Sequence, residues 1–405
     1  EPTWADARAS RYRPDGVVGT PLHGRTAAHS QTPWYFNWDL HHVVDVYDDF
    51  HAELEAIRTT VAMGDMSPLC KCTISGPEAG RLVDRLVPRN IDGLKVGNVQ
   101  YTPWCNDDGK VVSDGLVFRA TESSYRFTGD PTCEWFREKA AGYDVEITDE
   151  TNEYGILMVQ GPLARDVIER ATERDWSHLD FSRMARANVG GVEVELARQG
   201  FTGELGYEIL MPASQGVEVW DAVAAAGEAA GIRPCGEWAI DVARVEAGLL
   251  IPGPDYANAG PDPTGSHTVS ASDPECCSSP FELGMGGFVD LTKEGFIGRD
   301  ARAAIKARGI PKTRMVQFLI NDPDPLLYGN ELIYLGDQQV GYIQIGGYGH
   351  TLGGAVGIGF VTLDRPVSGD IVAKGAWQID IAGERFAATA SLKPLYDPDM
   401  KKIKC

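Results

Sequence analysis

A chain of 405 residues, 43% hydrophobic and 23% charged, has room for two or three ordinary globular domains. Its formal net charge of −21 excludes a nucleic-acid surface held by phosphate contacts, because such a surface is basic. No apolar run approaches the roughly 20 residues of a membrane span, and Glu1-Pro2-Thr3-Trp4 carries no signal-peptide pattern, so a cytoplasmic protein is expected.

In chain order, residues 20–38 are turn-rich and aromatic and read as an arm that packs its rings. Apolar residues at helical intervals predict a helix over 46–58. A repeat follows. Cys72-Thr73-Ile74-Ser75-Gly76-Pro77 leads into the amphipathic 82–86, and Leu157-Met158-Val159-Gln160-Gly161-Pro162 leads into 167–171. Each copy reads as a strand, a Gly-Pro break and a helix, with proline placed where the helix's first turn tolerates it. Two copies are too few for a solenoid and fit two similar α+β units, each with helices on one face of an antiparallel sheet.

Between the copies, 99–105 and 111–118 read as a hairpin around the turn Asn106-Asp107-Asp108-Gly109-Lys110. Asp114 interrupts its apolar second strand and must be exposed, paired or functional, since burying a lone charge is costly. Gly200, Gly203 and Gly206 then separate two strand-like runs, 192–196 and 207–210, with Glu204 and Glu208 beside them. That density of glycine suggests a bulged hairpin or close approach of a ligand to backbone. Helices are expected over 217–231 and 235–248, the second carrying Arg244, which either snorkels or clamps a carboxylate tail. Residues 252–280 form a long Pro-, Gly-, Ser- and Asp-rich loop, functional or disordered. From 312 onward short strands, one of them at 371–373, indicate a small β-barrel or jelly roll.

The eight cysteines are scattered without CxxC pairs, which argues against zinc and against a disulfide framework; reduced thiols and no metal are expected. Asp114 reads either as a solvent-facing strand residue or as a general acid–base carboxylate. Glu208 reads either as another solvent-facing residue or as an acceptor for an amidine-like edge, such as a guanidinium or a 2-aminopyrimidine ring. Gly346-Gly347-Tyr348-Gly349 precedes no helix and is no phosphate cradle, and 203–206 lacks the serine of a hydrolase elbow.

Six motifs in order carry a family resemblance from about Thr20 to Tyr396: Met63-Gly64-Asp65-Met66-Ser67, the 106–114 hairpin ending in Ser113-Asp114, Gln160-Gly161-Pro162, the 200–208 segment, Arg244-Val245-Glu246-Ala247-Gly248 and Phe296-Ile297-Gly298-Arg299. Together they resemble the glycine-cleavage T-protein (aminomethyltransferase) family, with its tetrahydrofolate-dependent demethylases and the folate domains of dimethylglycine and sarcosine oxidases. The resemblance implies an α+β cloverleaf of three subdomains, two ferredoxin-like units and a C-terminal β-barrel. The expected division is 1–65 with 149–251, 66–148 with 252–311, and 312–405.

The resemblance also implies roles. Asp114 matches the catalytic aspartate, Tyr101 a pterin-site tyrosine, Glu208 the reader of the aminopyrimidine edge and Arg244 the folate-site arginine. Phe118 and Phe201 stand where tyrosines can occur and keep a ring to stack; Glu204 is read as structural. Ser113-Asp114 replaces paired aspartates, the 252–280 loop is expanded, and the 346–349 glycines replace a Ser-Gly motif. These departures favour a free methylated amine, sulfonium or methyl ether as donor to tetrahydrofolate over a lipoyl carrier protein. Glycine-cleavage aminomethyl transfer and a non-catalytic folate-binding module are the alternatives. Trp34, Tyr35, Trp38 and Trp104 are read as a cage for a cationic donor or as ordinary packing.

Overall fold

The two Gly-Pro copies open two sheets of one design. The computed structural model describes residues 18–260 and 276–405; Glu1 to Trp4 and the 261–275 part of the long loop lie outside the described residues. In the first copy the strand Cys70–Ser75 ends at Gly76, φ 129°, ahead of the helix Ala79–Leu86. In the second the strand Tyr154–Gln160 ends at Gly161, φ 131°, ahead of the helix Ala164–Thr172. A Cβ on Gly76 would stand 2.7 Å from the Asp144 carbonyl oxygen, and one on Gly161 2.6 Å from that of Thr60. Backbone conformation and crowding both demand glycine at these two corners.

Around the first copy the strands run in the order Val99–Cys105, Val111–Thr121, Ser124–Gly129, Cys70–Ser75, Glu146–Asp149, all antiparallel. Around the second the order Met184–Val189, Val192–Ala197, Gly206–Pro212, Tyr154–Gln160, Ala62–Asp65 repeats it. The short strand Arg233–Pro234 then adds a parallel edge. In the first sheet Cys72, Ile74, Trp104, Val117 and Phe127 point into a core shared with the helices Ala79–Leu86 and Cys133–Lys139. In the second Leu157, Val159, Leu196, Tyr207 and Ile209 do the same under Ala164–Thr172 and Gly216–Gly227. These are the two expected ferredoxin-like units.

Because side chains alternate along a strand, the residues between these core positions face the other way. The two free faces meet. Val99, Leu116 and Phe118 of the first sheet pack on Met184 and Ala197 of the second, and Arg126 reaches across to Glu195, Nη1 to Oε2, at 2.5 Å. The cleft between them is lined by both sheets.

The C-terminal segment closes into a barrel in the order Thr313–Ile320, Gly354–Thr362, Gln338–Gly349, Leu332–Leu335, Trp377–Ile381, Glu384–Ser391. The strand expected at 371–373 is instead part of the helix Gly369–Lys374, because Ser368 caps it by accepting from Ile371 N at 3.3 Å. The barrel docks on the helix Glu237–Glu246: Gln317 Nε2 donates to Val245 O at 2.5 Å, and Thr351 N to Glu246 Oε1 at 2.9 Å. Glu246 is ion-paired at 2.7 Å with Arg58, from the helix Phe50–Thr59. No helix among the described residues is long and apolar enough to cross a membrane.

One expectation is corrected here. Cys72 and Cys133, 61 residues apart, form a disulfide with a Cα separation of 5.6 Å. Spacing alone gave no hint of it, because only the docking of the helix Cys133–Lys139 on the sheet brings the two together.

Substituting Gly161 by Ala should destabilise the fold by about 1–3 kcal/mol, since a side chain is strained at this φ and meets backbone. Gly287→Ala is the control, because no atom stands within 4 Å of a Cβ there. Urea denaturation of both variants checks it, and equal midpoints would contradict the reading.

Candidate functional site

Asp114 lies on the free face of the first sheet, 6% exposed. The two strands that hold it close up at paired glycines, Gly115 opposite Gly129. A Cβ on Gly115 would be 2.1 Å from Thr128 O, so no other residue allows this approach. The Tyr256 hydroxyl donates to Asp114 Oδ2, and the Tyr101 hydroxyl lies close enough to the same carboxylate to favour its charged form. Burial pushes the Asp114 carboxyl up to about 7; the two hydroxyls pull it back, and the charge of Asp255 adds to the rise. Nearby, Ser113 Oγ donates to Asp130 Oδ2 at 3.4 Å. The Asp130 carboxyl is raised well above its usual range by burial and by the charges of Asp114 and Asp39. The Asp114 carboxyl therefore takes up or releases a proton near neutral pH, with a second raised carboxyl close by at this end of the cleft.

The long loop folds onto Asp114. Arg244 is 1% exposed. Its Nε donates to Asp241 Oδ1 at 2.7 Å, and Nη1 donates to Leu249 O at 3.1 Å and pairs with Asp255. Asp255 Oδ2 also accepts from Ile251 N at 2.8 Å. The next residue is Tyr256, the donor to Asp114. Among the described residues the guanidinium faces two carboxylates and a carbonyl, and Asp255 links it to the neighbouring Tyr256. The loop's flanks are laced to the same strand, Ala259 N to Val111 O at 2.6 Å and Val111 N to Ser278 O at 2.9 Å.

Glu208 lies on the second sheet's free face, in a cleft whose walls include Phe118, Ile156, Met184, Ala197 and Leu210. Among the described residues no hydrogen bond or ion pair reaches its carboxylate, and burial alone pushes it up to about 7. Phe118 is thus a wall of the cleft, while Phe201 packs with Ile156, Met158 and Leu210 beside it. Tyr101 packs edge-on to Phe288 with ring centroids 5.1 Å apart, next to Asp114.

The glycines of 198–208 serve a neighbour in the chain. A Cβ on Gly200 or Gly206 would come within 2.1 Å of the Gln160 carboxamide, which the two residues clasp. Thr202 Oγ1 donates to Gln160 Oε1 at 3.0 Å, and Gln160 Nε2 donates to Gln199 O at 3.2 Å. Glu204 is bound by the Tyr396 hydroxyl, with Lys402 Nζ at 3.4 Å and Arg58 Nη1 at 3.6 Å, and so ties this loop to the C-terminal tail.

The four-ring cage does not form. Trp104 is fully buried against Phe127 and Phe136, Trp34 stacks on Trp238 at 5.5 Å, and Tyr35 stacks on His42 at 4.4 Å. Tyr256, Asp255 and Asp130 are the residues that sequence reasoning missed. Tyr256 carries only the signal of an aromatic within a Pro-Gly-rich loop, and its partner is 142 residues away.

Two family models match the chain: the GCVT N-terminal domain over residues 23–261, and the glycine cleavage T-protein C-terminal barrel domain over residues 313–397. A probable aminomethyltransferase of Halobacterium salinarum is 31% identical over 395 residues, 94% of this chain and 99% of its own length. An aminomethyltransferase of Streptomyces coelicolor is 30% identical over 323 residues, 78% of this chain and 82% of its own. The crystal structure of glycine cleavage system aminomethyltransferase T from Bartonella henselae has the same fold, with a TM-score of 0.80 at 18% identity over 95% of this chain and 99% of that one.

Two outcomes follow from the geometry. The folded Asp114 carboxyl, at about 7, lies above its unfolded value of about 3.9. Its contribution to stability is complete below the unfolded value and is lost as pH rises through about 7. Asp114→Asn should therefore lose less stability than the parent between pH 5 and about 8; denaturant midpoints at the two pH values measure this, and parallel losses would contradict it. Arg244→Met should cost about 3–5 kcal/mol by stranding buried carboxylates, and adding Asp255→Asn should recover part of that loss in the same assay.

Proposed function

The chain belongs to the glycine-cleavage T-protein family, and from that premise we propose that it moves a one-carbon unit from a small methylated donor to tetrahydrofolate. The donor is an amine, a sulfonium or a methyl ether, and the setting is cytoplasmic. The carrying observation is Asp114: a carboxylate enclosed by two tyrosine hydroxyls, with its proton balanced near neutral pH.

Tetrahydrofolate fits the residues present. Glu208 is a cleft carboxylate that no protein group satisfies among the described residues, between the apolar walls of Phe118, Ile156 and Leu210. A pterin offers a flat ring for those walls and a two-donor edge for that carboxylate, the bidentate geometry an acceptor favours. When bound, tetrahydrofolate supplies the nitrogen that accepts the one-carbon unit. Glu208 orients the ring, Phe118 and Phe201 flank it, and Asp114 takes the proton released on transfer, help typically worth about 10²–10⁴-fold. Tyr101 and Tyr256 aim the Asp114 carboxylate. Arg244 is a positioning residue that acts through Asp255. The three units of this reading are 1–65 with 149–251, 66–148 with 252–311, and 312–405.

The second reading, aminomethyl transfer from a lipoyl carrier protein with release of ammonia, is supported by the names of the relatives.

Asp114→Asn should lower kcat at least about 100-fold while folate still binds; undiminished turnover would remove Asp114 from the reaction. In the parent, kcat/KM should rise with pH through about 7 as the carboxylate forms. Glu208→Gln should weaken folate binding by about 10–100-fold, the worth of a charged hydrogen-bond acceptor, read by calorimetry. Mass spectrometry of folate products against glycine betaine, dimethylglycine, dimethylsulfoniopropionate and vanillate identifies the donor. Product formed only from glycine with a lipoyl carrier protein present would establish the second reading instead.

A further inference from the structure

The helix-covered face of the first sheet holds a group of side chains that the folate cleft does not use. We propose that Cys70, Cys72, Cys133 and Asp149, with the thiols reduced, form a binding site for one divalent cation of the zinc type.

Three donors converge there from three elements, and a fourth, Cys72, is bonded to one of them. Cys70 and Cys72 are two apart on the strand Cys70–Ser75, so both point to the same face, and both are buried in its core. Asp149 ends the neighbouring edge strand Glu146–Asp149 and is the register partner of Cys72, which puts its side chain on that face too. Cys133 begins the helix that covers the face. Cys70 Sγ, Cys133 Sγ and an Asp149 carboxylate oxygen all lie within 4.8 Å of one another, and Cys72 joins them through its bond to Cys133. Zinc–sulfur bonds of about 2.3 Å set tetrahedral donor spacings of about 3.8 Å. Rotation of the side chains by about an ångström reaches that spacing from the observed one.

The surroundings suit a metal. Asp149 Oδ1 accepts from Thr151 N at 3.0 Å and from Thr151 Oγ1 at 2.6 Å, and Thr151 Oγ1 in turn accepts from Lys71 N at 3.1 Å. Outer partners of this kind orient ligating carboxylates. Lys71, between the two cysteines, turns to the opposite face, where its Nζ donates to Ser67 O at 2.6 Å and Leu69 O at 2.8 Å, so its ammonium does not occupy the site. Three thiolates and one carboxylate select zinc over magnesium or calcium, which take oxygen donors. Asp149 is partly exposed while the thiols are buried, which gives the ion an entry at the sheet edge.

Oxidised and metal-bound forms exclude each other. Cleaving the Cys72–Cys133 bond takes two electrons from a thiol, which also gives the two protons and becomes a disulfide, or from a phosphine, which takes oxygen from a water that gives the two protons; the cation then displaces the thiol protons to solvent.

The test uses the full chain, stripped with a chelator and kept in a phosphine reductant, titrated with cobalt(II) as a spectroscopic probe. One cobalt per chain, with thiolate-to-cobalt charge transfer and tetrahedral visible bands that zinc abolishes, is the expected result. Cys70→Ser and Asp149→Asn should each weaken binding at least tenfold. Absence of the charge-transfer band, or a band unchanged in both variants, would overturn the proposal. If Cys70→Ser fails to fold by circular dichroism, alkylation of the parent decides: zinc should protect Cys70, Cys72 and Cys133 together, and equal labelling with and without zinc would overturn it.

Discussion

Carboxylates buried between two facing sheets are the constraint on which the molecule turns. Asp114 from one sheet and Glu208 from the other are both pushed up to about 7 by loss of water. A chain bears that cost only where the groups are bound, paired or used. Each sheet commits one face to its helices and has a single face left, so pairing the free faces creates a cleft floored by both. The Arg126–Glu195 contact spans it and joins the two units. Duplication of one strand–glycine–proline–helix plan is thus what makes a shared polar seam available.

The rest of the chain steadies that seam from two sides. The helix Glu237–Glu246 carries two adjacent tasks at its end. Arg244 anchors Asp255, and through the next residue places the Tyr256 hydroxyl on Asp114. Glu246 anchors Arg58 and the barrel residue Thr351. One turn of helix therefore couples barrel docking to the setting of the carboxylate. The coupling is built of buried ion pairs, whose value lies more in fixing one arrangement than in net stability.

Much of this arrangement was legible in the sequence because it rests on local patterns. The repeat, the hairpin around Gly109 and the short strands of the barrel are written in periodicity and turn residues, and all three formed. Asp114 and Glu208 stood out as charges in apolar strands. What stayed hidden depends on distant partners. Tyr256 belongs to Asp114 only after the loop has folded back. Gly200 and Gly206 suggested a ligand, yet they make room for Gln160 from another strand. Trp104 looked available for a cage, but strand alternation turns it into the core. The segment 371–373 has the composition of a strand, and a single cap at Ser368 made it a helix.

The duplication also supplies a comparison within the chain. Counting back from Gly76 and Gly161, Cys72 corresponds to Leu157 and Cys70 to Gly155, while Ile74 corresponds to Val159. The second sheet fills its helix-side core with Leu157 and Val159, has Gly155 in place of Cys70, and holds the same strand order. Thiols are therefore no requirement of the architecture, since hydrophobic packing of the right volume suffices there. The helix Cys133–Lys139 brings a third thiol to the same spot, and the edge strand brings a carboxylate to an otherwise apolar face. The disulfide accounts for two of the three sulfurs in the oxidised protein, and the proposed cation site accounts for what its reduction leaves: three thiols beside a carboxylate where the twin core has none.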